Sequence, residues 1–141
     1  MTINFCVPGR PVPMARPRVT AHGTYTPKRC RDYKATVIWA ARQAMKGREP
    51  LTGAVSCHIE LYFDIPKSYP REKRRKAQHN IIKPIGRNTG DADNHAKAIM
   101  DAISGICWVD DSQVTRLVVT KGYTDTGDEA RVWIFEDNGH D

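Results

Sequence analysis

The residue types best suited to chemistry fall in one stretch, Asp91-Ala92-Asp93-Asn94-His95-Ala96-Lys97, followed by Asp101 and then by Trp108-Val109-Asp110-Asp111. Asp91 and Asp93 straddle the start of a helix predicted from about residue 92 to residue 104. A helix macrodipole tolerates carboxylates at that end, and Gly90 frees the backbone just before it. Asp93 and Lys97 are four residues apart and share a face, turned away from the apolar stripe Ala92, Ala96, Ile99, Ile103 and Ile106. Asp110 and Asp111 lie between the helix and the next strand. If that strand runs beside the helix, one of these acids can return to Asp91 and Asp93. Three hard oxygen ligands on a partly open site suit Mg²⁺, with Mn²⁺ as a substitute. Such a metal activates water and stabilises the leaving oxygen of a phosphodiester displacement. Lys97 would neutralise charge on the phosphorus or orient the attacking water. The same spacing also fits a plainer arrangement, in which Asp91 and Asp93 cap the helix and Asp93–Lys97 is a surface pair worth about 0.3–0.5 kcal/mol.

The charge distribution bears on that choice. The 141 residues carry a net charge of +6. Residues 1–50 hold 10 Lys/Arg against 2 Asp/Glu, residues 51–90 hold 8 against 3, and residues 91–141 hold 4 against 11. A basic front suggests a polyanion surface; carboxylates gathered beside it are what a divalent-metal nuclease needs. Compensating surface ion pairs are the alternative. The phosphate-contact candidates are Arg10, Arg16, Arg18, Lys28 and Arg29, then Lys67, Arg71, Lys73, Arg74, Arg75 and Lys76. Such contacts supply salt-dependent affinity and little sequence reading. Tyr25, Tyr69 and Trp108 could stack on a junction, although Trp108 is better placed for the core. The five histidines lack zinc spacing; His58 is expected to pack in a strand, and His95, inside the motif, could approach the acidic site or stand apart from it. Cys6, Cys30, Cys57 and Cys107 contain no Cys-x-x-Cys pair and read as small buried apolar groups in a reducing cytoplasm. No apolar run reaches the length of a membrane span, and no secretory signal is visible.

The elements that must position these residues follow from periodicity. Residues 3–7 read as a strand ended by Pro8-Gly9, and Ala21-His22-Gly23 as the turn of a hairpin. Tyr33, Val37, Ala40, Ala41 and Ala44 mark a helix over about 29–46. Val55, Cys57, Ile59, Leu61 and Phe63 mark a long strand over 54–65, and Pro70 opens a basic helix. Residues 81–90 read as an irregular loop, and two strands over 113–123 and 129–136 as a second hairpin. The whole is one α+β domain, residues 1–141, with a mixed sheet packed by helices.

The central run from Asp91 to Val114 resembles the RusA family of small Holliday-junction resolvases, found in bacteria and their prophages. Its Asp-x-Asp-Asn-x-x-Lys helix, Asp-Ala pair and hydrophobic-Asp-Asp-x-Gln-Val strand start are all matched here. The opening Pro8-Gly9-Arg10-Pro11-Val12-Pro13 with Arg16-Pro17-Arg18, and Tyr25-Thr26-Pro27, are also similar to that family. The resemblance implies a homodimeric, Mg²⁺-dependent endonuclease that nicks paired strands at a four-way DNA junction. It makes Asp91, Asp93 and Asp111 metal-binding carboxylates and Lys97 the essential lysine. Asp101 and Asp110 match recurring acids, with Asp101 placed to hold Lys97; Asn94 matches an orienting group. Many members read Lys-Pro-Asp straight into the motif, whereas here residues 85–90 intervene, leaving Lys83 or Arg87 to take the basic position. A branched-DNA-binding protein without catalysis, and a metal nuclease of other branched DNA, are the competing functions.

Overall fold

The computed structural model describes residues 2–15 and 18–137, the side chains of residues 18–20 excepted. The chain runs β1 (Thr2–Pro8), β2 (Arg18–Thr20), β3 (Gly23–Tyr25), α1 (Lys28–Met45), β4 (Val55–Asp64), α2 (Arg71–Gln78), α3 (Ala92–Ile103), β5 (Val114–Thr124) and β6 (Glu129–Glu136). Strands β2 and β3 form the expected hairpin. The other four make a mixed sheet in the order β1-β6-β4-β5, with β4 and β5 parallel and the remaining pairs antiparallel. The α+β class and the mixed, helix-packed sheet are therefore as expected.

Strand β4 is the centre of the fold because its alternation is complete. Val55, Cys57, Ile59, Leu61 and Phe63 are all buried, while Ser56, His58, Glu60 and Tyr62 face the other way and are half-buried. Helices α1 and α3 cover the inner face, contributing Val37, Ala41, Ile99 and Ile103 to one core with Ile3, Val132 and Ile134. In α3 the buried stripe is His95, Ala96, Ile99, Ala102 and Ile103. Helix α2 buries only Ala77 and is otherwise solvated.

Strands β5 and β6 do not form a hairpin. Strand β4 lies between them, pairing with both. The link over residues 125–128 reaches about 13 Å when extended, enough to cross the roughly 10 Å that one intervening strand occupies. It bonds to the strand it crosses: Gly127 N–H donates to Asp64 Oδ1 at 3.0 Å, and Asp64 N–H donates to Asp128 Oδ1 at 2.6 Å. The cysteines also divide, with Cys57 and Cys107 buried, Cys30 half-buried and Cys6 exposed, its thiol on Glu129.

The two faces of β4 should respond differently to truncation. Ile59→Ala, at a fully buried inner position, is expected to cost roughly 2–5 kcal/mol. His58→Ala, which removes only an edge-on contact with Phe135 on the outer face, should cost less than about 1 kcal/mol. Urea midpoints of the two variants at constant m-value make the comparison.

Candidate functional site

Asp91 is the N-cap of α3 and Asp93 lies in its first turn; both are exposed. Asp91 makes no side-chain capping hydrogen bond, and among the described residues Asp93 and Lys97 form no ion pair. The carboxylates are thus not consumed by the local roles their spacing allows.

The turn feeding this helix end is held from several sides. Arg87–Thr89 forms a 3-10 turn inside the stretch read as irregular. Thr89 is buried and its hydroxyl lies 2.6 Å from Gly86 O. Lys121, from β5, donates to Thr89 Oγ1 at 2.9 Å and to Gly90 O at 2.7 Å. His95 is buried with Nε2 2.6 Å from Thr89 O, and its ring meets Phe63 edge-on. Burial lowers the His95 pKa, with the bond to Thr89 O opposing. A neutral ring donating through Nε2–H satisfies that carbonyl. His95 therefore braces the turn instead of reaching the acids. Gly90 has φ +78°, and a Cβ there would lie 2.9 Å from both His95 Nε2 and Pro13 Cγ. Arg10 closes this end, its guanidinium 5.1 Å from the Phe63 ring centroid and bonded to Asn88 O at 3.0 Å.

Asp111 is held at the opposite end of α3. After Ile103 the chain turns through Trp108, which is fully buried as expected and donates its indole N–H to Asp111 Oδ1 at 2.8 Å. Asp111–Gln113 is a 3-10 turn capped by Asp110, whose carboxylate accepts from Ser112 N–H; hydrogen bonding from the Ser112 side chain, and then from its N–H, lowers the Asp110 pKa. Asp110 is thereby a turn cap. Gln113 ties this turn to the start of β4: Oε1 accepts from Val109 and Asp110 N–H, and Nε2 donates to Leu51 O and Gly53 O.

The expected return of Asp110 or Asp111 to Asp91 and Asp93 does not occur within one chain. Twelve helical residues span about 18 Å, and the two groups of acids sit at opposite ends of them. Among the described residues no three His, Cys, Asp or Glu side chains gather to hold a metal ion. Asp91 and Asp93 offer hard oxygen donors suited to Mg²⁺ or Mn²⁺ but form only half a ligand set. Asp101 does not hold Lys97; it pairs with Lys34 of α1 at 2.9 Å, fastening α3 to that helix. Asn94 contributes its backbone carbonyl, which accepts from Met14 N–H.

Of the cationic candidates, Arg10, bonded to Asn88 O, and Arg87, in the 3-10 turn before Gly90, adjoin the Asp91 end. Strand β5 ends beside α2, where Tyr69 and Tyr123 share a hydroxyl–hydroxyl bond of 2.9 Å and Lys73 Nζ lies 4.2 Å from the Tyr69 ring centroid. Lys67, Arg71, Lys73, Arg75, Lys76, Lys83 and Arg87 are exposed, and Arg74 is half-buried. Arg75 pairs with Glu72, and Lys28 with Asp32. Arg29 and Tyr25 are exposed on the α1–β3 side. Arg16 lies outside the described residues, as does the side chain of Arg18. The residues that sequence reasoning overlooked are Lys121, Thr89 and Gln113. Lys121 had a visible mark: it stands at an inward position of β5, between Val119 and Tyr123, where the alternation calls for an apolar residue.

An α+β domain with exposed carboxylates at a helix start and basic residues in the adjoining turn fits a protein acting on phosphodiesters. Residues 8–134 match the family model of endodeoxyribonuclease RusA, and the chain belongs to that family. It is also 32% identical over 129 residues to the uncharacterized protein YqaN of Bacillus subtilis (strain 168), an overlap covering 87% of this chain and 89% of YqaN. Among the described residues no helix is long and apolar enough to cross a membrane.

The role of Gln113 can be tested directly. Gln113→Leu removes four hydrogen bonds that join the Asp110–Asp111 turn to the segment before β4 and is expected to lower stability by about 1–3 kcal/mol, read from thermal and urea unfolding.

Proposed function

We propose that the protein is a Mg²⁺-dependent endodeoxyribonuclease that resolves four-way (Holliday) DNA junctions by paired, symmetric phosphodiester hydrolysis in recombination and repair. It works as a homodimer in a bacterial or prophage-bearing cytoplasm. The observation that carries this reading is the division of the acids. Asp91 and Asp93 lie exposed at one end of α3, next to the turn that holds Arg87 and receives Arg10, and Asp111 lies at the other end, oriented by Trp108. One chain offers an incomplete metal site, and a two-fold related copy can complete it. Each of two equivalent sites would then take Asp91, Asp93 and Lys97 from one protomer and the partner's Asp111. Two symmetric sites match a substrate with two strands to cut.

A Mg²⁺ ion bound there would supply a lowered pKa for water and charge stabilisation at the phosphate. The protein's own groups do the rest. Lys97 is exposed on the same face as Asp93, one turn along, and can neutralise a phosphate oxygen. The indole of Trp108 fixes the rotamer of Asp111, the outer-layer support that metal-binding carboxylates need. Arg10 and the cations of α2 give affinity for branched DNA that falls steeply with salt.

Wild type and Asp93→Asn, on a labelled mobile four-way junction with Mg²⁺ or with EDTA, test the activity. Paired nicks are expected from wild type with Mg²⁺ alone, with Asp93→Asn still binding. Binding without cleavage under any divalent metal would make it a branched-DNA-binding protein. Cleavage of flaps in preference to junctions would make it a nuclease of other branched DNA.

Subunit mixing tests the shared site. Asp93→Asn and Asp111→Asn homodimers should each be inactive. In their heterodimer one site would carry both changes and the other none, so single nicks should return. A mixture that stays dead despite verified subunit exchange would place all the acids of each site in one chain.

A further inference from the structure

Lys121 is the least expected charged group near the candidate site. It projects from the inner side of β5, where its register partner on β4 is the buried Leu61. Its ammonium is half-buried and, among the described residues, has no carboxylate partner within ion-pair distance. Instead it donates to two oxygens of the same turn, Thr89 Oγ1 at 2.9 Å and Gly90 O at 2.7 Å. The Thr89 hydroxyl has a single proton, and Gly86 O lies 2.6 Å away to receive it. The lone pair facing Lys121 is therefore available as an acceptor. His95 takes the Thr89 carbonyl, and Pro13 and His95 close around Gly90. Thr89 Oγ1, Thr89 O and Gly90 O are thus each engaged by a side chain, Lys121 or His95.

Asp91 follows that turn immediately. Its backbone begins α3, but its side chain has no cap bond to fix it. The direction of its Cα–Cβ bond is set by the backbone of residues 89 and 90. We propose that Lys121 is a positioning residue for the Asp91 carboxylate: by gripping Thr89 and Gly90 from β5, it locks the turn that aims Asp91 at the metal. This rests on the metal-nuclease reading above and adds a residue that acts through the turn without touching metal or DNA.

The test compares Lys121→Met, Lys121→Arg and Thr89→Val with wild type in three measurements: Mn²⁺ binding to the DNA-free protein by calorimetry, amide exchange, and junction binding in EDTA. Lys121→Met is expected to weaken Mn²⁺ binding about tenfold or more, as loss of outer-layer support does. Exchange should accelerate at Gly90 and His95, whose amides bond to Arg87 O and Asp91 O, and should be unchanged in β4. Junction affinity in EDTA should stay within about twofold, and Lys121→Arg, which keeps N–H donors, should recover most of the Mn²⁺ affinity. Thr89→Val keeps the lysine and removes one of its acceptors, so it should reproduce the Lys121→Met effects in part even if Lys121→Met folds poorly.

Unchanged Mn²⁺ affinity and unchanged exchange in Lys121→Met would overturn the proposal. So would a loss of junction affinity in EDTA with Mn²⁺ binding intact, since Lys121 would then be a phosphate contact. Asp93→Asn is the control that separates the two levels. If it binds Mn²⁺ as well as wild type does, the metal reading of this helix end fails and the positioning role falls with it. If it abolishes binding while Lys121→Met does not, only the positioning role fails.

Discussion

Strands β4 and β5 pair in parallel, so the chain leaving Asp64 has to travel back the length of the sheet before it can begin Val114. A parallel crossover of this kind needs a dozen or more residues and is usually helical. Here α3 makes the return journey, packed on the sheet through Ile99 and Ile103. Its N-terminus therefore lies where β4 and β5 end, beside Phe63 and Lys121, and its C-terminus where they begin, beside Leu51 and Val114. The placement of acids at both ends of α3 is a consequence of strand direction. No rotamer change brings Asp111 to Asp91 across about 18 Å of helix.

Each end of α3 is stiffened by polar groups whose partners come from distant parts of the chain. At the Asp91 end the supports are Lys121 from β5, His95 from the helix itself and Arg10 from the segment after β1. At the Asp111 end they are the Trp108 indole and the Gln113 amide, the latter bonded to residues 51 and 53. A half-buried ammonium is costly without oxygen partners, and burial lowers the Lys121 pKa while Asp91 raises it. That cost is offset by the two bonds to the turn. Rigid supports of this kind would suit the shared site proposed above, where each half must be in position before its counterpart arrives.

Much of the fold was legible because its signals are local. The alternation of β4 and the apolar stripes of α1 and α3 fixed those elements within one or two residues. The β5–β6 pairing was misread for an equally physical reason. A short polar link between two alternating strands looks the same whether the strands pair or a third strand lies between them, and only the placement of β4 distinguishes the two. The partners of His95 and Asp101 were hidden in a similar way. Each was judged against its sequence neighbours, but His95 finds Thr89 and Phe63, and Asp101 finds Lys34 on another helix.

By itself, the sequence determined the chemical inventory: paired aspartates at a helix start, a lysine one turn on, a second acidic pair, a basic front half, and membership of a nuclease family through the match over residues 8–134. These depend on residue identity and short spacing. The tertiary structure alone decided which of those groups stand together. Strand order and direction carried Asp111 to the far end of α3, brought Lys121 from thirty residues away to the turn before Asp91, and turned His95 inward. Distances between residues far apart in the chain are set by how elements pack, and packing is not encoded in the local spacing that makes each element recognisable.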